Sequence, residues 1–376
     1  MNPAIEAALG AAMGRLGALD LGDLFEPRAA AAIVESGLVR LCVPASAGGL
    51  GATMAEAAEV LMAVSAVDGA TALGFAMQVH VTGAMRDAST FPEAIRDRVY
   101  RAIVEGGALV NNAATEEGGG SPARGAIPGT RATQAAAPDG TWLLAGEKTW
   151  TTWLPNLAYA FVTARVGADD PAEVGIFLVD LASGGVERAE GFEAMGMRGS
   201  ASGRLVLEGA QATLVQRRRI DTPDPRGAAP MAWFGIAIAA AYLGVGEGSR
   251  TRVARWALDR RPGDGSTSVA DVPSVQLRLG RLDADLRAAR IVVLDVARRW
   301  DEHRDASDVA LAKLVATRAA VNATDEALRI AGGPGFLAGR LERAFRDARA
   351  GLINPPLEDV ALTGFGKAVL QRERPS

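Results

Sequence analysis

Two short segments of this 376-residue chain carry hydroxyls, glycines and an aromatic ring in an order suited to holding a phosphate and a flat cofactor. Residues 114–121 (ATEEGGGS) run from the Thr115 hydroxyl through consecutive glycines ending at Gly120 to the Ser121 hydroxyl. Consecutive glycines let backbone N–H groups converge on an anion, and the serine adds one more donor. Taken alone, such a segment is more often a plain surface loop. Downstream, residues 146–152 (GEKTWTT) set Trp150 between hydroxyls in a strand-like run that ends on Thr152. A tryptophan in that setting is more often core than cofactor wall. Together the two segments describe a β-domain that takes the phosphates and one ring face of a flat cofactor.

Composition excludes other chemistries. One cysteine, Cys42, and two histidines, His80 and His303, rule out a disulfide framework and leave too few soft ligands for a zinc or iron–sulfur site, so no metal is expected. Forty Lys and Arg against 44 Asp and Glu give a net charge of −4 and a pI near 5.5, which provides no basic field for nucleic acid or anionic lipid. A hydrophobic content of 49% and a mean hydropathy of +0.11 exclude a disordered chain. Glu6, Arg15 and Asp20 interrupt the apolar start, unlike a signal peptide. The longest uncharged run, 227–246, contains Pro230 and much Ala and Gly, and reads as a buried helix rather than a membrane span. A soluble, cytoplasmic protein with no nucleic-acid or membrane partner is expected.

Three further side chains could do acid–base work. His80 lies in 78–83 (QVHVTG), where a lone histidine among apolar residues is usually a satisfied core group, whereas His303, between Glu302 and Arg304, reads as solvated surface. Glu358 and Asp359 follow Pro355 and Pro356, a composition typical of helix initiation with carboxylates favoured by the helix dipole.

The elements that must position these residues fall into three stretches. The first 110 residues read as helical, with a capping-box spacing at Thr53 and Glu56, helices over 54–68, 71–87 and 92–104, and a glycine-rich turn at 44–51 that lacks the strand and lysine of a phosphate loop. Short β-rich runs follow at 141–144, 158–166, 174–180, 204–208 and 212–216, too closely spaced for βαβ units. Helical periodicity returns over 227–261, 273–304, 307–331 and 357–371, with a break read across 332–356. Leu279, Leu282, Leu286, Ala289, Val293, Val296 and Trp300 form the seam of a helical bundle.

Thr115, Glu116, Gly120 and Ser121, then Gly146, Lys148, Trp150 and Thr152, then 195–202 (MGMRGSAS), 332–336 (GGPGF) and 346–348 (RDA) resemble the acyl-CoA dehydrogenase family in order and spacing. Residues 37–50, ending VPASAGGL, are similar to the family's N-terminal signature. The resemblance covers nearly the whole chain and implies an α+β fold: an N-terminal all-α domain (1–110), a middle β-domain (111–222) and a C-terminal four-helix-bundle domain (223–376). It implies bound FAD, with Thr115 at the pyrimidine side of the isoalloxazine, Gly120 and Ser121 at the pyrophosphate, and Trp150 and Thr152 at the ring face and N5 edge. Arg260, Gly332 and Gly333 resemble residues that reach the adenine half from a neighbouring subunit in family tetramers, which implies a homotetramer. Arg329 stands where the family usually has Gln, and Gly263 replaces a phenylalanine common there.

The implied reaction is dehydrogenation of an acyl thioester at a CH–CH bond, with an electron-transfer flavoprotein or oxygen as acceptor. The family's usual catalytic glutamate position is Pro355, and the alternative glutamate site is Phe234. Neither side chain has an acid–base group. Gly235 and Ala232 occupy the places of an arginine and an aspartate near the CoA arm. Glu358 or Asp359 could serve as a relocated base. His80 with Asn112 favours instead a monooxygenase or oxidase of the same fold, and a non-catalytic protein that holds FAD is the third reading.

Overall fold

The computed structural model describes residues 1–118, 126–136, 140–167, 173–263 and 265–374; Gly120 and Ser121 lie outside them. Five helices open the chain: α1 (Pro3–Gly17), α2 (Pro27–Glu35), α3 (Met54–Val67), α4 (Gly69–Asp87) and α5 (Glu93–Gly106). The capping box closes as its spacing requires, with Thr53 Oγ1 accepting from the Glu56 N–H and Glu56 accepting from the Thr53 N–H. Asp68 then separates two helices, because its N–H finishes α3 on the Val64 carbonyl while its carboxylate accepts from the Thr71 N–H at 2.8 Å. Every residue of α4 from Gly69 to Met85 is buried. Two glycines allow this: a Cβ on Gly74 would stand 2.1 Å from the Trp153 indole, and one on Gly83 would stand 2.3 Å from that of Trp233.

Among the described residues seven strands follow: β1 (Leu109–Ala113), β2 (Arg131–Gln134), β3 (Trp142–Thr151), β4 (Leu157–Val166), β5 (Glu173–Asp180), β6 (Val186–Gly191) and β7 (Gly203–Arg219). Antiparallel pairings run β4 to β5, β5 to β7, β7 to β3 and β3 to β2, and β2 returns in parallel to β4 through Arg131 and Arg165. The strands β4, β5, β7, β3 and β2 therefore close into a barrel. Strand β1 pairs in parallel with β4 ahead of β2, and β6 with β7 ahead of β5.

The remainder is helical: α6 (Ala229–Asp259), α7 (Pro273–His303), α8 (Val309–Ala331), the single turn α9 (Gly333–Phe336), α10 (Arg340–Ile353) and α11 (Glu358–Arg372). By length and composition α6 could cross a membrane, but 83% of its most apolar window is buried inside the molecule against α3, α4 and α8. The expected seam on α7 is present, with Leu282, Leu286, Ala289, Val293, Val296 and Trp300 buried.

Several sequence expectations need correction. Residues 332–356, read as a break, contain the 14-residue α10, which packs on α6 and α8 as the bundle's fourth helix. Glycines and prolines at both ends of the segment obscured a strongly amphipathic helix between them. Helix α11, expected in that role, touches the body through α8 and buries only Ala361. The runs at 204–208 and 212–216 are one strand, β7, continuous through Gly209 at φ 73°. Strands β2 and β6 are too short and polar to announce themselves.

Candidate active site

The segment that begins the glycine run is held from below by an ion pair. Lys148, on β3 and fully buried, donates to Glu116, which also accepts from the Thr130 hydroxyl at 2.7 Å and the Thr130 amide at 3.0 Å. Burial alone would raise the Glu116 carboxyl, but the bonds from Lys148 and Thr130 outweigh it and bring it down to about 2. The Thr149 N–H adds a 2.8 Å bond to the Thr115 carbonyl, so Thr115 stands exposed at the edge of β3.

One turn further along β3 the ladder to β7 shifts register between Lys148 and Thr151, and Trp150 takes φ 56°. A left-handed tryptophan is a strained residue. Here the strain turns the indole outward, 51% exposed and stacked on Phe192 at 4.2 Å. Thr152 Oγ1 pairs with Ser202 Oγ at 3.0 Å, and Ser202 with Ser200 at 2.9 Å. On β1, Asn111 Nδ2 donates to the Thr152 carbonyl at 3.1 Å, while Asn111 Oδ1 and Thr151 Oγ1 are buried without a partner. Unsatisfied polar atoms beside an outward-turned ring suit a flat, hydrogen-bonding ligand.

The next residue of β1, Asn112, places its amide 3.3 Å from His80 Nε2 on α4. Phe234 of α6 meets the His80 ring edge-on at 5.1 Å. Burial, reinforced by the charge of Arg226, holds the imidazole down to about 3, so the ring is neutral at physiological pH. His303, in contrast, is exposed beside Glu302.

The end of α10 forms the other wall. Asn354 donates to the Tyr242 hydroxyl of α6 at 2.6 Å, and Lys313 of α8 donates to the Pro356 carbonyl at 3.0 Å. Burial lowers the Lys313 amine to about 8 against the pull of Glu358. Pro355 therefore sits in a fixed turn, but it offers no proton acceptor. Glu358 is held by Arg318 of α8, which keeps its carboxyl below the usual range, and Asp359 is exposed in the first turn of α11.

A buried charge network joins these walls. Asp347, in the RDA motif on α10 and 4% exposed, accepts from the Met197 N–H in the turn that leads to Ser200 and Ser202. It lies 3.5 Å from Arg343, which binds Asp68 at the start of α4 and the Leu21 carbonyl at 2.7 Å. Arg346 reaches Asp23 at 2.9 Å and the Met195 carbonyl at 3.0 Å. Arg252 of α6 completes the cluster by capping α3 at the carbonyls of Ala66 and Val67. Gly196 is required by contact, since a Cβ there would stand 2.3 Å from the Arg346 carbonyl oxygen.

Of the residues singled out in the sequence, the structure bonds Thr115 to Thr149 beside the end of β3 that carries Trp150, sets Thr152 just beyond that end, and ties Thr152 to His80 through Asn111 and Asn112. Arg260 caps the far end of α6, Gly332 (φ 62°) and Gly333 close α8, and Arg329 pairs with Asp325 of its own helix. All four are exposed at the surface of the molecule. Tyr242, Lys313 and Asn354 were missed; a tyrosine and a lysine inside long alanine-rich helices carry no motif, although a lysine at an apolar helix position is a usable signal.

Two family descriptions match the sequence: acyl-CoA dehydrogenase, middle domain, over residues 111–210, and acyl-CoA dehydrogenase, C-terminal domain, over residues 229–354. The chain is 33% identical over 334 residues to the putative acyl-CoA dehydrogenase YdbM of Bacillus subtilis (strain 168), spanning 87% of this chain and 85% of that protein. Its fold resembles butyryl-CoA dehydrogenase from Megasphaera elsdenii, with TM-score 0.84 and 20% identity over 98% of this chain and 99% of the other. It equally resembles dibenzothiophene monooxygenase (TdsC) from Paenibacillus sp. A11-2, with TM-score 0.82 and 20% identity over 100% of this chain and 98% of the other.

The network predicts a pH signature. Burial raises Asp347 to about 6, over the opposing Met197 bond and the charge of Arg343, with Asp68 adding to the rise. The unfolded chain titrates this carboxyl near its ordinary 3.8, so the folded protein holds the proton longer, and the resulting stability is lost as pH rises through about 6. Urea denaturation of wild type and Asp347→Asn should show the wild type losing roughly 2–3 kcal/mol relative to the variant between about pH 4 and 7. A difference that stays flat across that range would contradict the assignment.

Proposed function

The chain belongs to the acyl-CoA dehydrogenase family, whose members are FAD-dependent oxidoreductases, and from that premise we propose that it acts on the carbon–carbon bond beside the carbonyl of an acyl thioester. The observation that carries the reading is the link made by β1: Asn111 binds the Thr152 carbonyl just beyond the end of β3, and Asn112 binds His80 on α4. One short strand thus fixes the distance between a cofactor wall and a substrate wall.

The residues present fit FAD. Trp150 offers a ring face, Thr152, Thr151 and Asn111 offer hydrogen-bonding atoms, two of them unpartnered, and Glu116 with Lys148 anchors the segment leading into the glycines. Bound there, FAD supplies a two-electron acceptor for hydride. The protein's part is to orient the thioester and exclude water, since α4 is buried along its length and Phe234 packs edge-on against His80.

Proton removal is where this chain departs from a dehydrogenase. Pro355 and Phe234 supply no base, and the neutral His80 ring is a weak one. That observation favours a second reading, a flavin-dependent monooxygenase or oxidase in which the pocket needs no carboxylate. The electron acceptor in the first reading is an electron-transfer flavoprotein, and in the second it is oxygen. The proposal includes a cytoplasmic homotetramer, supported by Phe336, Leu337, Ile353 and Leu370, which are 63–80% exposed around α9, α10 and α11. Light scattering should give four times the 38.9 kDa chain, and a monomer that keeps its flavin would refute the assembly.

Anaerobic titration with a panel of acyl-CoA thioesters tests the main reading, with loss of flavin absorbance as the readout. Because Arg318 holds Glu358 and Asp359 faces solvent, Glu358→Gln and Asp359→Asn should bleach within about twofold of wild type, whereas loss of a general base slows a reaction by about 100-fold or more. Bleaching by no thioester, with oxygen consumed on other substrates, would replace the dehydrogenase with the monooxygenase.

A further inference from the structure

The two ring nitrogens of His80 are in different situations. The side chain is 5% exposed, and its Nε2 lies 3.3 Å from Asn112 Nδ2, an amide nitrogen that can only donate. Nε2 accepts from that amide in the tautomer whose single ring proton is on Nδ1. Nδ1 is buried and makes no hydrogen bond. Phe234 covers the ring from α6, Asn112 occupies its other nitrogen, and the charge that bears on it is the Arg226 cation, which disfavours a second proton. A buried N–H without a partner is uncommon because it forfeits its bond to water. An apolar side chain of the same size would fill this position without that cost.

We propose that His80 is a specificity-determining residue whose Nδ1–H donates to an acceptor oxygen on the bound substrate. The inference rests on the acyl-thioester reading of the pocket. The oxygen can come from the thioester carbonyl or from a keto or hydroxyl group on the acyl chain. A pocket with a buried donor rejects a ligand that leaves the donor unpaired, so the hydrogen bond sets selectivity as well as affinity. The Asn112 contact keeps the ring in the tautomer that can donate, which makes Asn112 the positioning residue.

Isothermal titration calorimetry of the holoenzyme with pentanoyl-CoA and levulinyl-CoA, equal in chain length and differing by a keto oxygen, tests this. Substituting His80→Leu should weaken binding by about tenfold, and His80→Asn, whose amide can place an N–H near the Nδ1 position, should recover most of it. Weakening of levulinyl-CoA alone assigns the acceptor to the acyl chain, and equal weakening of both assigns it to the thioester carbonyl. Unchanged binding of both by His80→Leu, or an Asn variant as weak as the Leu variant, overturns the inference. Wild-type holoenzyme that binds neither thioester overturns the acyl-thioester reading and this inference with it. A measurement on the wild type needs no variant: with two histidines in the chain, histidine-selective isotope labelling should show the Nδ1–H proton resonance of His80 moving downfield when thioester binds. A resonance that does not move when thioester binds overturns the inference independently.

Discussion

A carboxylate buried away from water must be paired, and Asp347 meets that requirement with partners from the loop before β7 and from its own helix. Its oxygens take the Met197 amide from the loop before β7 and the Arg343 guanidinium, which in turn holds Asp68 at the head of α4. Removing one partner of a buried pair strands the other and typically costs about 3–5 kcal/mol, so the arrangement tolerates little drift. The helix that carries Asp347 ends at Ile353, two residues before Pro355, the turn that carries Met197 continues to the serines beside Thr152, and the helix capped by Asp68 carries His80. The geometry of the candidate site follows from this one junction.

The rest of the site is built by close approach and by strain. Gly74 and Gly83 let α4 lie between Trp153 and Trp233, which buries His80 deeply enough to keep it neutral. At Trp150 a register shift in β3 turns an aromatic ring out of the barrel, where a regular strand would have kept it in the alternating pattern. Closing the barrel through β2 and β4 makes β3 a rigid support for that turn. These are ways of fixing a ring wall and a pocket wall relative to each other without a disulfide or, among the described residues, a metal cluster.

The succession of helices, barrel and bundle was legible because hydrophobic periodicity reports which face of an element is buried, as along Leu282, Leu286, Ala289 and Val293. Trp150 and Thr152 were legible as a motif, yet the outward turn of the indole was not, since it arises from pairing with β7. Helix α10 was hidden by its flanking Gly and Pro residues, and with it the role of Asp347, a motif residue that takes the amide of Met197, 150 residues away, and shares its neighbour Arg343 with the still more distant Asp68. Glu358 and Asp359 stood out by proximity to Pro355 in the chain. Their surroundings could not be read there, because Arg318 belongs to a different helix.

Amide hydrogen exchange of wild type and Asp347→Ala, followed peptide by peptide, tests the junction most directly. If Asp347 holds the three walls together, the segments 195–202 and 68–74 and the last turn of α10 lose protection together, while β4 and β5 on the far side of the barrel exchange as in wild type. Loss of protection confined to α10, with 195–202 and 68–74 unchanged, would contradict the account.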